Sequence, residues 1–276
     1  MSAPKTRFHA WDWIFSPAAR LGKQVRLPLE RVGSAAWLMS RVVRGLFRLR
    51  LDQLDVVYRI LRMQVKFTAL DALLLTVVTA LLMGGITLIQ VFGQLSSYGA
   101  EDYLSKLLAK LVIRELGPLL VGVIVIGRSG TAVAAEMASM KLSGEVDALV
   151  AMGMNPVQFL LVPRMLGGMI SVFSLIVFFD AAALLGGFVL AWLLLPTLSF
   201  ASFLAGLEGV IGIRELAITL LKGLLFGGAV PVLCAAYGLR VKRSATEVPQ
   251  AVTKGVVASL LMMFLADALL SLALYG

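Results

Sequence analysis

The sequence predicts an all-α integral membrane protein, and three features predict it. Apolar residues fill 59% of the 276 positions and only 15% are charged, whereas a soluble domain is about half apolar and about a quarter charged. Apolar runs of about 20 residues or more recur along the chain, each long enough to cross a hydrocarbon core as a helix. Between them stand short polar stretches rich in Lys and Arg, so the net charge of +9 fits anionic headgroups and membrane topology better than nucleic acid.

Residues 1–66 hold thirteen of the twenty-five Lys and Arg residues. They read as a basic, cytoplasmic N-terminal region. No uninterrupted apolar core and small-residue cleavage site follow its first charges, so a secretory signal peptide is not expected. Arg41, Arg44 and Arg48 fall on one helical face and Leu38, Val42, Leu46 and Leu49 on another. That is the pattern of an amphipathic helix lying in the membrane interface.

Residues 67–276 read as a membrane domain with about five spans, at about 70–91, 113–135, 162–195, 216–237 and 256–275. Gly84-Gly85 in the first allows close packing or a bend. Gly186-Gly187 marks where the long third span could break, and Pro196 ends it. Gly223-x-x-x-Gly227 in the fourth is a small-residue packing signal. Residues 93–110 and 197–213 read as loops, the second partly interfacial. The stretch 136–158 is polar and links the second span to the third.

Five spans place the two termini on opposite sides. The N-terminal cations, Arg128, Lys141, Arg164, Arg240, Lys242, Arg243 and Lys254 fall on one side; Lys106, Lys110, Arg114, Arg214 and Lys222 fall on the other. The positive-inside rule makes the larger set cytoplasmic. The N-terminus and the 136–158 stretch are then cytoplasmic.

Ionisable residues in or beside apolar runs are expensive and usually face protein or water. Here they are Arg114, Glu115, Asp180, Glu215, Lys222 and Asp267. Arg114 and Glu115 point about 100° apart on a helix and are expected to meet other partners than each other. Glu215 and Lys222, seven residues apart, share a face. Asp180 and Asp267 read first as polar packing between helices. For Arg114, Glu115 and Lys222, on the extracytoplasmic side, a polar substrate path and interhelical packing stand level. The lone Cys234 excludes an internal disulfide and reads as a packing residue. His9, in the basic tail, carries no assigned role.

No P-loop and no G-x-S-x-G motif occurs, and metal-ligand spacing is missing. Nothing points to catalysis, a directly bound cofactor or a metal. A secondary transporter would need internal repeats around broken helices, and no convincing repeat is visible. Energy for transport would have to come from a partner.

From about Leu54 to Gly276 the chain resembles the MlaE permease family, the membrane subunits of ABC transporters that work with MCE-domain lipid carriers. The resemblance rests on Arg114-Glu115-Leu116-Gly117-Pro118, Gly127-Arg128-Ser129-Gly130, Ala134-Ala135-Glu136, Met140, Asp147-Ala148-Leu149, Met152-Gly153, Pro156 and Pro163-Arg164. Asp180 before Gly186-Gly187, Lys222 before Phe226-Gly227, and Asp267 extend it. It implies a homodimer in a bacterial inner membrane. It also implies two cytoplasmic ABC ATPase subunits that carry ATP and Mg, and a periplasmic MCE-domain assembly. The substrate class it implies is phospholipid, with sterol or another hydrophobic compound as the alternative; a non-transporting membrane scaffold is the reading outside transport. On this resemblance Arg114, Glu115, Glu215 and Lys222 form a lipid mouth. Glu136, Met140, Glu145, Asp147, Leu149, Met152 and Pro156 belong to a cytoplasmic coupling helix between spans 2 and 3. Two stretches depart from the family pattern. Ser143-Gly144-Glu145 stands where Thr-Glu-Gln is common, so Gly144 lacks a carboxylate and is expected to weaken a local helix by about 1 kcal/mol relative to Ala. Glu247-Val248-Pro249 stands where a Gly-rich loop is common, which predicts a stiffer turn, with Pro249 suited to a helix start.

Overall fold

The computed structural model describes residues 39–46, 54–96, 104–194, 201, 203, 205, 207, 212–242 and 244–275. Contacts divide the chain into two units, 1–41 and 42–276, and the structural argument concerns the second. Its helices are the part of α1 (39–46) from residue 42 onward, α2 (Leu54–Val65), α3 (Asp71–Ser96), α4 (Leu104–Leu111), α5 (Gly117–Val125), α6 (Thr131–Leu142), α7 (Glu145–Ala151), α8 (Val162–Leu194), α9 (Ile213–Gly238) and α10 (Val248–Tyr275). Single π turns at Lys66–Leu70, Val112–Leu116 and Ile126–Gly130 join neighbouring helices without a break, and a fourth, Val157–Leu161, leads into α8. α2 therefore enters α3 as one helical run across the expected boundary at 66/67, and α4, α5 and α6 form one run from 104 to 142.

Among the described residues, four helical stretches are long and apolar enough to cross a membrane: Val57–Leu95, Val157–Leu193, Ile213–Gly238 and Ala245–Leu274. Their outer faces remain apolar, with Leu74, Leu193, Ile213 and Leu272 more than two-thirds exposed. A monomer in water rarely shows so much contiguous apolar surface. The span expected at 113–135 lies in the run 104–142, which is not one of the four. Charges recur along that run, and its longest uncharged stretch is residues 116–127, between Glu115 and Arg128.

Helices extend past the limits that hydropathy suggests. α3 continues to Ser96 and α4 starts at Leu104, so the loop expected over 93–110 is mostly helix. The polar stretch expected from 136 begins inside α6, which ends only at Leu142. Residues 201, 203, 205 and 207 are helical, in a region expected as a loop. Hydropathy marks what lipid can surround, whereas helices continue through charged residues with good helix propensity. Leu38, Arg48, Leu49 and Pro196 lie outside the described residues.

Glycines decide how closely the runs approach. α8 does not break at Gly186-Gly187; it is continuous from Val162 to Leu194. Gly186 instead lies on the backbone of Leu81, and Gly84 lies on the Ala183 carbonyl. A Cβ at either position would meet backbone, so α3 and α8 touch main chain to main chain. Gly227 of the expected small-residue motif meets Gly168 of α8 in the same way. α9 is sandwiched: α8 covers one side, and the 104–142 run and α10 cover the other. Thr219 Oγ1 donates to Ile113 O at 3.2 Å, while Gly238 packs on Ala134. The 104–142 run thus lies parallel to α9.

Candidate functional site

One charged cluster ties three helices together. Lys222, on α9, has no exposed surface. Its Nζ donates to Arg114 O at 2.8 Å, to Ser271 Oγ at 3.1 Å and to Glu115 Oε2 at 3.3 Å. It also pairs with Asp267 Oδ1 at 2.8 Å. Ser271 Oγ donates in turn to Glu115 Oε1 at 2.9 Å. Arg114 Nε and Glu215 Oε2 lie 3.4 Å apart.

The π turn Val112–Leu116 sets this geometry, because its wider winding turns Arg114 and Glu115 toward α9 and α10. Arg114 and Glu115 do meet separate partners: Glu215 for the first, Lys222 for the second. Asp267, 6% exposed, pairs with a fully buried counter-charge. Lys222 is an internal ligand for four protein oxygens, more than the three protons of an ammonium can serve at once. The partly exposed members, Arg114, Glu115 and Glu215, are the ones that face outward. Sequence reasoning missed Ser271 and Thr219. Their spacing was the available signal: Ser271 lies one helical turn after Asp267, and Thr219 lies three residues before Lys222.

Asp180 stands apart from this cluster. It packs on Gly117, and its buried Oδ1 has no hydrogen-bond partner among the described residues.

The other end of the 104–142 run holds a second group. Glu136 lies about 33 Å along the helix from Arg114, at 1.5 Å per residue. Its Oε1 pairs with Arg164 Nη2 at 2.8 Å, and Arg164 Nη1 donates to Leu160 O at 2.9 Å. Arg128, in the π turn Ile126–Gly130, lies 3.5 Å from Asp71 and donates to Phe67 O at 3.3 Å. It thereby clasps the joint between α2 and α3.

Beyond α6 the chain turns at Gly144, which adopts φ of +78°. The expectation that Gly144 weakens a helix is corrected here. It stands between α6 and α7 in the left-handed region, where a glycine carries no Cβ penalty. Ser143 Oγ donates to Glu145 Oε1 at 2.7 Å, and Lys141 Nζ meets Asp147 Oδ1 at 2.7 Å. Val150 in α7 and Met152 just after it are more than half exposed, with Leu149 partly buried. Gly153, at φ +74°, and Asn155 close the segment. Asn155 Oδ1 accepts from Val157 N at 3.0 Å, and Pro156 leads into the next π turn. Glu145, Asp147 and Met152 thus share one exposed segment. Glu136 and Met140 belong to the preceding helix.

Near the last span, Ser244 caps a short 3-10 turn, Ala245–Glu247, and Glu247 Oε2 accepts from Lys242 N at 2.9 Å. Pro249 falls in the first turn of α10, as its position suggested.

These features define a class: a multi-pass helical membrane protein with a buried ionic knot at one end and an exposed inter-helix segment at the other. The chain belongs to the MlaE permease family, since the family model described as Permease MlaE matches residues 61–273. It is 27% identical to a probable ABC transporter permease protein of Rickettsia typhi, over 77% of this chain and 82% of the relative. It is also 27% identical to a probable ABC transporter permease protein of Synechocystis, over 88% and 90%. An intermembrane phospholipid transport system permease protein, MlaE, of Haemophilus influenzae is 26% identical over 93% and 96%.

Proposed function

We propose that the chain is the non-catalytic permease subunit of an ATP-driven transporter that moves phospholipid, or a similar hydrophobic lipid, between a bacterial inner membrane and a periplasmic MCE-domain carrier. The observation that carries this reading is the helical run 104–142. One of its ends is held in the ionic knot at Arg114 and Glu115, and the other leads directly into the exposed α7 segment. A displacement at α7 would travel along that run to the knot.

The run serves as the fifth crossing, because it lies parallel to α9 over the length of a membrane-spanning helix. The cation distribution places α7 and the N-terminus in the cytoplasm. α1, with Val42 buried and Arg44 exposed, lies in the interface. α7 is the coupling helix: Val150 and Met152 dock into a groove of the ATPase, with Glu145 and Asp147 at the rim. ATP and Mg belong to that partner, two copies of which serve a permease homodimer. At the far end, Arg114, Glu115 and Glu215 form the mouth that handles the lipid headgroup, while Lys222 and Asp267 hold them in place from inside. The relative from Haemophilus, named for intermembrane phospholipid transport, supports the substrate class.

The experiment is co-expression with neighbouring genes, purification, and measurement of ATP hydrolysis with and without added phospholipid. An ATPase that co-purifies and is stimulated by lipid supports the proposal. Absence of a co-purifying ATPase refutes it.

A further inference from the structure

A cavity of about 470 Å³ opens between α2, α6 and the start of α8, far from the Lys222 knot. Its size lies within the roughly 300–1,000 Å³ usual for small-ligand sites. Met63, Phe67, Val133 and Met140 give it apolar walls, and among the described residues its only charges are Glu136 and Arg164. Those two charges differ in access. Arg164 is 5% exposed; Nη1 donates to Leu160 O and Nη2 pairs with Glu136, which leaves each of these nitrogens a second N–H. The Glu136 side chain is 55% exposed, which leaves acceptor capacity on its outer side. The cavity therefore offers a spare buried donor beside a spare acceptor, within a pair that is neutral overall.

That arrangement selects a zwitterion. An anionic group approaching Arg164 alone would be repelled by Glu136, and a cation approaching Glu136 alone would be repelled by Arg164. A phosphate joined to a primary ammonium satisfies both, with charge-assisted hydrogen bonds to each. The rim suits a membrane surface: α2 exposes Tyr58 and Met63 with Arg59 and Arg62 between them, an interfacial pattern.

We infer that this cavity binds one phosphoethanolamine lipid of the cytoplasmic leaflet, its phosphate on Arg164, its ammonium on Glu136 and the start of an acyl chain along Met63 and Phe67. The inference rests on the membrane placement of the proposed function, not on transport or on the ATPase.

The test is native mass spectrometry of the delipidated full chain, offered equimolar dioleoyl phosphatidylethanolamine, phosphatidylcholine and phosphatidylglycerol. Phosphatidylethanolamine should be retained best, because the choline headgroup has no N–H for Glu136 and the glycerol headgroup has no cation. Glu136→Gln should weaken its retention by about tenfold, the loss of one charge-assisted hydrogen bond. Met63→Trp, at an exposed position on the cavity wall, should reduce retention by filling the space while leaving the fold intact. Equal retention of phosphatidylglycerol by the unaltered protein overturns the inference. So does unchanged phosphatidylethanolamine retention in Met63→Trp, or displacement by soluble glycerophosphoethanolamine at equal concentration. Lipid-stimulated ATP hydrolysis, measured in parallel, reports on the transport reading separately.

Discussion

Replacing Lys222 with methionine tests whether the ionic knot holds the helices together. Lys222 is fully buried and Asp267 is 6% exposed, so Lys222→Met leaves the Asp267 carboxyl without its counter-charge at the junction of α9 and α10. Glu115, with its side chain 37% exposed, can rehydrate; Asp267 cannot. Removing one partner of a buried pair costs roughly 3–5 kcal/mol. At about 2–4 °C per kcal/mol for a chain of this size, the unfolding midpoint should fall by roughly 6–20 °C. The double variant Lys222→Met/Asp267→Leu removes both charges and should recover more than half of that loss, since apolar replacement of a whole buried pair is often neutral. Midpoints would be read from the fraction of soluble monodisperse protein left after heating in detergent. If the double variant loses the sum of the two single losses, the residues are not coupled and the reasoning fails.

Three further outcomes are expected. Gly144→Ala forces an L side chain into φ of +78° with open space around it; strain alone should cost about 1–2 kcal/mol, read as a small drop in midpoint with weaker lipid stimulation of the ATPase. Gly84→Val places side-chain atoms on the Ala183 backbone and should part α3 from α8, lowering the midpoint by the roughly 1–3 kcal/mol of an overpacked interface; an unchanged midpoint would contradict the main-chain contact. Asp147→Arg removes only an exposed pair with Lys141, worth about 0–1 kcal/mol, so the midpoint should hold while the ATPase no longer co-purifies. Retained ATPase would remove Asp147 from the coupling surface.

Sequence reasoning placed the charged residues on the correct helices but not their partners. Arg114 and Glu115 had to diverge, because adjacent helical positions point apart. That Arg114 would find Glu215 while Glu115 found Lys222 depends on the π turn at 112–116, which no apolar period reveals. Arg164 looked like a cytoplasmic cation near a span end; it is buried, because Glu136 and the Leu160 carbonyl satisfy it. Gly144 was misjudged because composition cannot distinguish a glycine inside a helix from one that turns the chain between two helices.

The sequence by itself determined the material of this protein. Its apolar runs require helices in lipid, since only closed hydrogen bonding survives there. Its cations predict an orientation for those helices, and its ordered motifs point to one family. Tertiary structure alone decided which charges neutralise each other, which glycines let backbones touch, and that one helical run joins the buried knot to the exposed α7. Those outcomes depend on the facing and register of helices far apart in the chain, and no local pattern encodes them.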